Sequence, residues 1–273
     1  MTDDRDYELV DCGDRRRLER FGERLVDRPA PAAIAPRRAR ADAWTAADLR
    51  FDRERGWTGA DTKPWTVAMS GLTLELRPAA AGQVGLYPEH ATFWPWLSAM
   101  VRARPAARVL NLFGGTGGTT LALAAAGAQV THVDAARSAV AWARRNASLS
   151  GLDDRPIRWI VDDAVEFVRR EIRRSRRYDG VILDPPSFGH GPNGRRWDLR
   201  QALPELLELV ATVAEPEAFV LLTAHTAGLE PDDLRELAAS VFDADRFRTS
   251  RTQLGATSGA TLQAGVSARI IPR

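Results

Sequence analysis

An acidic residue, two prolines and an aromatic residue follow one of the apolar runs of the chain. The run 178–183 (YDGVIL) leads into Asp184, Pro185, Pro186 and, after one serine, Phe188. Because proline donates no backbone hydrogen bond and holds the chain extended, the pair ends the strand and fixes the direction of the Asp184 carboxylate. Phe188 supplies a flat surface for stacking. Together these groups could hold an aromatic heterocycle; the alternative is a proline strand terminator with a helix-capping Asp.

A glycine-rich loop follows an earlier apolar run. Residues 108–113 (RVLNLF) precede the segment 114–118, in which four of five residues are glycine. Glycine lets the backbone turn sharply and approach a ligand, although a tight strand–helix turn would also account for it. A P-loop needs a following lysine, which this loop lacks, and the dinucleotide pattern starting at Gly115 has Thr120 in place of its last glycine. The P-loop is therefore excluded, and a dinucleotide-binding enzyme is weakened but stays open.

Acidic residues end the next two predicted strands. Asp134 ends QVTHVD (129–134), and Asp162 and Asp163 end IRWIVDD (157–163). A carboxylate after the second strand can accept hydrogen bonds from both hydroxyls of a ribose, which NAD and S-adenosylmethionine share. One after the third strand can accept a hydrogen bond from an adenine amine. The alternatives are a helix-entry acid at Asp134 and an acidic pair at a helix N-terminus, and for Asp162 the helix-terminal interpretation is favoured.

Strands and helices are predicted to alternate from residue 108 onward. This favours an α/β fold with a parallel sheet and helices on both faces, in which ligands bind beyond the carboxyl ends of the strands. Earlier, residues 65–78 alternate apolar and polar side chains on either side of Ser70-Gly71, which predicts a hairpin. We therefore expect a small β-rich domain with a connector over residues 1–97, and a cofactor-binding catalytic domain over residues 98–273.

The composition is that of an ordinary globular protein. The 273 residues carry a net charge of +2, and Lys63 is the single lysine, so arginine supplies nearly all of the basic charge. The single cysteine, Cys12, excludes an internal disulfide framework and a cysteine-cluster zinc site, and no metal site is predicted. The first residues lack the pattern of a secretory signal, and no apolar run approaches the roughly 20 residues that span a bilayer. We expect a cytoplasmic protein with no membrane partner.

Several segments, in this order and spacing, resemble the class I S-adenosylmethionine-dependent methyltransferases, in particular those of large-subunit (23S) ribosomal RNA. They are VLNLFGGTGG, THVDAARSAVAWARRNASLSGL, VDDAVEFV, YDGVILDPPSF and FVLLTAHTAG. GQVGLYPEH (82–90) resembles the segment that these enzymes place before the catalytic domain. The resemblance covers residues 65–230 well and the first 60 loosely. It implies a Rossmann-like, seven-stranded sheet with a small N-terminal β-rich domain, S-adenosylmethionine as methyl donor, and ribosomal RNA as partner.

The resemblance also implies roles for individual residues. The glycine loop would hold the methionine end of the cofactor through Phe113, Gly114, Gly115, Thr116 and Gly117. The acids would bind the rest of it: Asp134 the ribose, Asp163 the adenine, and Asp162 beside it. Asp184 with Pro185 would face the acceptor, next to Pro186 and Phe188, which are candidates from the residue types themselves.

One departure from the family bears on the reaction. Members that methylate carbon 5 of cytosine use a cysteine in the segment that matches LLTAHTAG, where this chain has Ala224, His225 and Thr226, and Cys12 lies far away in sequence. A covalent thiolate route is therefore not expected, and direct transfer to a nitrogen fits instead. His190 and His225 could act as a base or form ordinary polar lining.

Two arginine-containing segments are candidates for holding a nucleic acid. Residues 169–177 carry six arginines in nine positions, which indicates either a solvated helix end or a patch that contacts phosphates. Arg195, Arg196 and Trp197 combine charge and a stacking surface in a Gly/Pro-containing loop that could cover the substrate.

Three functions stay open at the level of sequence. The first is a methyltransferase that acts on a base nitrogen of ribosomal RNA. The second is a methyltransferase for a protein amide or a small heterocycle, and the third is a non-catalytic relative that binds the cofactor or RNA. The oligomeric state is not predicted.

Overall fold

The computed structural model describes residues 6–59, 61–190 and 196–272, and of His190 and Ala244 it describes the backbone only. None of the helices within those three segments is long and apolar enough to cross a membrane.

The described chain forms two compact units. The first comprises the residues up to Glu89 together with Gln253–Ala264, and the second comprises His90–Thr252 together with the residues from Gly265 onward. The predicted division into residues 1–97 and 98–273 stays a prediction.

The first unit is rich in β-structure. Its strands and helices are β1 (Tyr7–Gly13), β2 (Arg16–Phe21), β3 (Arg24–Pro29), α1 (Ala41–Thr45), β4 (Leu49–Asp52), β5 (Gly56–Gly59), β6 (Trp65–Met69) and β7 (Leu72–Leu76), and α2 (Pro88–Ala91) begins at its end. Strands β1 to β5 form one sheet in sequence order. Strands β6 and β7 form the predicted hairpin, whose two turn residues Ser70 and Gly71 have φ of 51° and 78°. Positive φ at both positions is typical of the type I′ turn that connects two-residue hairpins.

A buried acid links distant parts of the first unit. Asp11 on β1 accepts hydrogen bonds from the Trp44 indole (3.0 Å), the Ser258 hydroxyl (2.6 Å), and the backbone amides of Arg38 (3.1 Å) and Ala39 (2.8 Å). Burial alone would raise the pKa of Asp11, but these hydrogen bonds outweigh it and lower the pKa below its ordinary value. The charge on Asp11 therefore fastens α1, the connector before it and the segment 253–264 to β1.

The second unit alternates helices and strands. Its elements are α3 (Trp94–Arg102), β8 (Arg108–Leu112), α4 (Gly118–Ala125), β9 (Gln129–Asp134), α5 (Arg137–Leu149), β10 (Ile157–Val161), α6 (Ala164–Arg173), β11 (Tyr178–Leu183), β12 (Phe188–His190), β13 (Arg196–Asp198), α7 (Leu199–Val213), β14 (Ala214–Ala224), α8 (Pro231–Ala239), a 3₁₀ turn (Ala244–Arg246), β15 (Phe247–Gly255) and β16 (Thr261–Ile270). The tip between β15 and β16 belongs to the first unit.

The second unit contains the predicted seven-stranded sheet. The strand order is β10-β9-β8-β11-β14-β16-β15. The ladders that join β10, β9, β8, β11 and β14 are parallel, and β16 runs antiparallel to β14. The chain order reverses between β8 and β11, so the crevice beyond their carboxyl ends is the switch point at which ligands bind in this architecture.

Helix α7 packs against the sheet through one apolar face. Its buried positions are Leu199, Leu203, Leu206, Leu207, Val210 and Val213, each at most 2% exposed. These positions follow the helical repeat and form one apolar face, which joins the core cluster that contains Val181 and Leu183 of β11 and Val220 and Leu222 of β14. The sheet is thereby held rigid below the ends of its strands.

Candidate active site

The glycine loop and the proline segment begin side by side. Leu112, the last residue of β8, pairs with Leu183, the last residue of β11. Phe113 and Asp184 are the next residues of the two strands, so both chains leave the sheet at the same level. On the other side of β8, Asp134 at the end of β9 pairs with Val161 at the end of β10. The tertiary structure therefore gathers the glycine loop, the acids and the proline segment at the carboxyl ends of the strands.

The glycines of the loop differ in their surroundings. A Cβ on Gly114 would lie 2.4 Å from the His132 ring, and one on Gly117 would lie 2.7 Å from the Ala143 Cβ. Gly115, with φ of 54°, has no atom within 4 Å of a Cβ position. Of these three, only Gly115 leaves open space for a ligand, whereas the other two glycines allow close packing inside the protein.

A buried polar network supports this loop. Asn111 Nδ2 donates to Thr120 Oγ1 (2.8 Å), and Thr120 Oγ1 lies 2.8 Å from His132 Nδ1. Burial lowers the pKa of His132 to about 4, so the ring is neutral. The Thr120 hydroxyl accepts from Asn111, and the tautomer of the neutral ring decides whether the same hydroxyl donates to Nδ1 or accepts from it. Thr120 thus fills the position of the last glycine of a dinucleotide motif with a side chain that joins β8, α4 and β9.

Asp134 holds the loop in place. Its Oδ2 accepts from the Gly115 amide (2.9 Å) and its Oδ1 accepts from the Ala136 amide (2.8 Å). Each carboxylate oxygen can accept a second hydrogen bond. Asp134 can therefore shape the loop and still accept a ribose hydroxyl. Thr116, between the loop glycines, is buried, and its carbonyl accepts from Asn146 Nδ2 (2.9 Å).

The two acids after β10 have different partners. Asp163 is the N-cap of α6, with Oδ1 accepting from the Glu166 amide (3.0 Å). Asp162 accepts from the Asp163 amide (2.9 Å) and forms an ion pair with Arg170. The capping role therefore falls on Asp163, the acid that the resemblance assigns to adenine, and not on Asp162. An N-cap carboxylate keeps a second oxygen, so capping leaves room for that assignment.

Asp184 lies in a cluster with two histidines and a threonine. Its Oδ1 accepts from Thr223 Oγ1 (2.7 Å) and lies 3.0 Å from His225 Nε2, while its Oδ2 lies 3.2 Å from His90 Nε2. The two Nε2 atoms are 3.3 Å apart. Burial by itself would raise the pKa of Asp184, but the adjacent His90 and His225 lower it well below the ordinary range. Asp184 is thus a fixed carboxylate and not a helix cap.

The sequence did not connect His90 with Asp184. The one sequence feature that pointed to His90 was its position at the end of GQVGLYPEH, the segment that resembles the part of these enzymes placed before the catalytic domain. His225 was a candidate base from the sequence and lies beside Asp184 in the structure. The side chain of the other candidate, His190, lies outside the described residues.

The proline segment is braced by its neighbours. Trp197 Nε1 donates to the Pro186 carbonyl (2.6 Å), and the Trp197 ring packs 5.5 Å from that of Phe113. Pro185 is buried, whereas Phe188 is 64% exposed and so presents its ring to solvent. Trp197 lies on β13, which pairs with β12, and not in a loop. Arg195 lies outside the described residues, and the role of this segment in covering the substrate stays a prediction.

The basic segment at the end of α6 is organised around a buried acid. Glu171 is fully buried and accepts from the Tyr178 hydroxyl (2.6 Å) and from Arg174 Nη1 (3.1 Å). Arg158 and Arg176 lie 3.7 and 3.9 Å from the same carboxylate. Part of the arginine run is therefore used to neutralise an internal charge.

Comparison with known proteins identifies the family. A family model described as S-adenosylmethionine-dependent methyltransferase matches residues 11–249 of the chain. The chain belongs to the S-adenosylmethionine-dependent methyltransferases. The predicted fold class, enzyme class and cofactor of this methyltransferase are thereby confirmed.

The similar proteins agree with this assignment. The crystal structure of an S-adenosylmethionine-dependent methyltransferase from Agrobacterium tumefaciens is 34% identical to this methyltransferase, with a TM-score of 0.92 over 98% of this chain and 91% of that one. A ribosomal RNA large subunit methyltransferase K/L from Methylococcus capsulatus is 29% identical over 59% of this chain and 22% of its own length. A ribosomal RNA large subunit methyltransferase I from Klebsiella pneumoniae is 32% identical over 51% of this chain and 35% of its own length. The chain thus spans between about a fifth and a third of these two curated relatives.

Proposed function

We propose that this methyltransferase methylates a base nitrogen of ribosomal RNA by direct transfer, without a cysteine nucleophile. The observation that carries the proposal is the pairing of Leu112 with Leu183, which starts the cofactor loop and the Asp184 segment from adjacent strand ends. The names of the two curated relatives support ribosomal RNA as the substrate.

The residues at the strand ends fit the donor. The open space above Gly115 accepts the methionine end next to Phe113, and Asp134 keeps lone pairs for the ribose. Asp163, with Asp162 beside it at the end of β10, would hold the adenine. When bound, S-adenosylmethionine supplies a sulfonium methyl group that is already activated for transfer. The protein therefore has to supply mainly proximity and alignment.

The proline segment orients the acceptor. The Asp184 carboxylate accepts a hydrogen bond from an amine or ring N–H of the base, and Thr223 and the two histidines prevent it from rotating away. The exposed Phe188 ring stacks on the base. With the base held in one orientation, the lone pair of its acceptor nitrogen points at the donor. A ring nitrogen with a free lone pair requires no base for this step.

The test is methyl transfer with a matched pair of variants. We expect Asp184→Asn to lower the turnover of ribosomal RNA from a deletion strain by about a hundredfold, because the amide misaligns the acceptor. Asp232→Asn makes the same change on α8 at a side chain that is 92% exposed, and should leave turnover unchanged. Binding of the cofactor to both variants, measured by calorimetry, shows that the donor site is intact.

The acceptor is identified in the same experiment. Radiolabel is followed into RNA, protein and metabolite fractions, and methylated nucleosides are identified by mass spectrometry. Label in a protein amide or a small heterocycle, with none in RNA, would replace the proposed substrate by the second candidate. Label at carbon 5 of a pyrimidine would contradict transfer to nitrogen.

A further inference from the structure

His90, Asp184 and His225 bring three metal-ligating side chains to one point of the second unit. The ligand atoms of this triad all lie within 4.8 Å of one another. Asp184 follows β11 and His225 follows β14, and these strands are neighbours in the sheet, with Leu183 paired to Leu222. His90 reaches the same point from α2.

The separations fit ligands of one ion. The three contacts are Nε2 to Nε2 (3.3 Å), His90 Nε2 to Asp184 Oδ2 (3.2 Å) and His225 Nε2 to Asp184 Oδ1 (3.0 Å), so the carboxylate would offer both of its oxygens to the ion. Ligands that lie about 2.1 Å from a common ion are about 3.0 Å apart at octahedral angles and about 3.4 Å apart at tetrahedral angles. All three distances fall within that window.

Hydrogen bonds and a bound ion would use this arrangement differently. A neutral imidazole nitrogen carries either one proton or one lone pair in the ring plane. If both Nε2 atoms of His90 and His225 donate to Asp184, no proton is left for the 3.3 Å contact between them. If instead one Nε2–H donates to the other Nε2, the accepting nitrogen carries no proton and presents a lone pair to a carboxylate oxygen of Asp184. An ion at the centre accepts all three lone pairs at once.

The surroundings suit a metal site. Thr223 Oγ1 donates to Asp184 Oδ1 (2.7 Å), which is the support that metal-binding carboxylates have. Gly265 passes so close to His225 that a Cβ there would lie 2.9 Å from His225 Nδ1, which restricts the ring. The triad side chains are 16%, 25% and 33% exposed, so an ion can enter and water can complete its coordination.

We propose that His90, Asp184 and His225 bind one divalent first-row transition-metal ion of the Zn²⁺ class. Two imidazoles and one carboxylate favour such ions over Mg²⁺ and Ca²⁺, which prefer oxygen ligands. The site goes beyond the proposed function. With the ion bound, the histidines would hold Asp184 through the ion instead of donating to it, and the N–H of the acceptor base would use a remaining lone pair of the carboxylate.

The experiment measures metal binding directly on the full chain. After removal of metals with a chelator, Zn²⁺ is titrated calorimetrically and Co²⁺ is followed by its visible absorption, both without RNA or S-adenosylmethionine. We expect one ion per chain. His90→Gln and His225→Gln keep a polar side chain of similar size but supply a poor ligand, and each should weaken binding at least about tenfold. Asp232→Asn, an exposed acid outside the triad, should bind as the unaltered chain does.

Failure of this proposal is separable from failure of the proposed function. Circular dichroism and binding of S-adenosylmethionine establish that each variant is folded. An unaltered chain that takes up neither Zn²⁺ nor Co²⁺, or Gln variants that bind them equally well, would overturn the metal site and leave methyl transfer to RNA untouched. Metal binding without methyl transfer to RNA would overturn the proposed function and leave the metal site untouched.

Discussion

At the scale of single residues, the glycines of the cofactor loop have separate structural reasons. Gly114 is required because the His132 ring occupies the space where its Cβ would be, whereas Gly115 faces open space and has a positive φ. A glycine count in the sequence cannot distinguish these roles, because the neighbour of Gly114 comes from another strand. The distinction gives a matched pair of substitutions, one residue apart.

We expect Gly114→Ala and Gly115→Ala to fail in different ways. In Gly114→Ala the added methyl collides with His132 and should cost about 2 to 3 kcal/mol of unfolding free energy. In Gly115→Ala the cost should be about 1 kcal/mol, from the left-handed backbone, while affinity for S-adenosylmethionine falls at least about tenfold. Denaturant unfolding and calorimetry measure the two effects. Unchanged cofactor affinity in Gly115→Ala would contradict the placement of the donor at this loop.

At the scale of elements, a polar network inside the sheet unit fixes the strand ends relative to α4. Asn111 on β8, Thr120 on α4 and His132 on β9 are buried and joined by hydrogen bonds. A polar residue within each apolar segment was visible in the sequence, but only the order of the strands brings the three side chains together. The network positions the glycine loop, since Gly114 packs on the His132 ring.

His132 should make stability depend on pH. Its pKa is about 4 in the folded protein, below the ordinary value of 6.5, so the unfolded chain binds a proton more readily. The neutral His132 ring therefore contributes about 3 kcal/mol to the free energy of unfolding. This contribution is complete above about pH 6.5 and is lost as the pH falls towards 4. Denaturant unfolding between pH 7 and 4 should therefore show that His132→Gln loses less of its unfolding free energy with falling pH than the unaltered chain does. Parallel profiles would show that His132 is not protonated on unfolding.

At the scale of the whole molecule, the first unit is assembled from segments far apart in the chain. Asp11 and Ser258 are 247 residues apart and are joined by a 2.6 Å hydrogen bond. The same carboxylate accepts from Trp44 and from the connector amides. The segment 253–264, at the tip between β15 and β16, is therefore an integral part of this unit.

Asp11→Asn should destabilise this unit. The amide has a single acceptor oxygen in place of two, so several of the four donors, of which the Trp44 indole is buried, lose their partner, at a cost of about 2 to 4 kcal/mol. Asp42→Asn, at an exposed acid on α1, serves as the control and should change unfolding by less than about 0.5 kcal/mol. Thermal and denaturant unfolding give the comparison. Equal stability of the two variants would contradict the structural role of Asp11.

Much of the architecture followed from local patterns. The Ser70-Gly71 hairpin, the alternation of strands and helices and the placement of glycine loop, acids and proline segment at strand ends depend on near neighbours in the chain. The sequence predicted that Trp197 lies in a loop, whereas the structure places it on β13, which pairs with β12, and its indole donates to the Pro186 carbonyl.

The sequence by itself determined the fold class, the family and which segments meet at the edge of the sheet, because strand polarity places every carboxyl end of a parallel sheet on one side. Only the tertiary structure decided which side chains touch there. His225 lies 41 residues from Asp184 and 135 residues from His90 along the chain. Their meeting depends on the lateral order of β8, β11 and β14 and on the path of α2, which are set by packing of the whole unit and not by any local pattern.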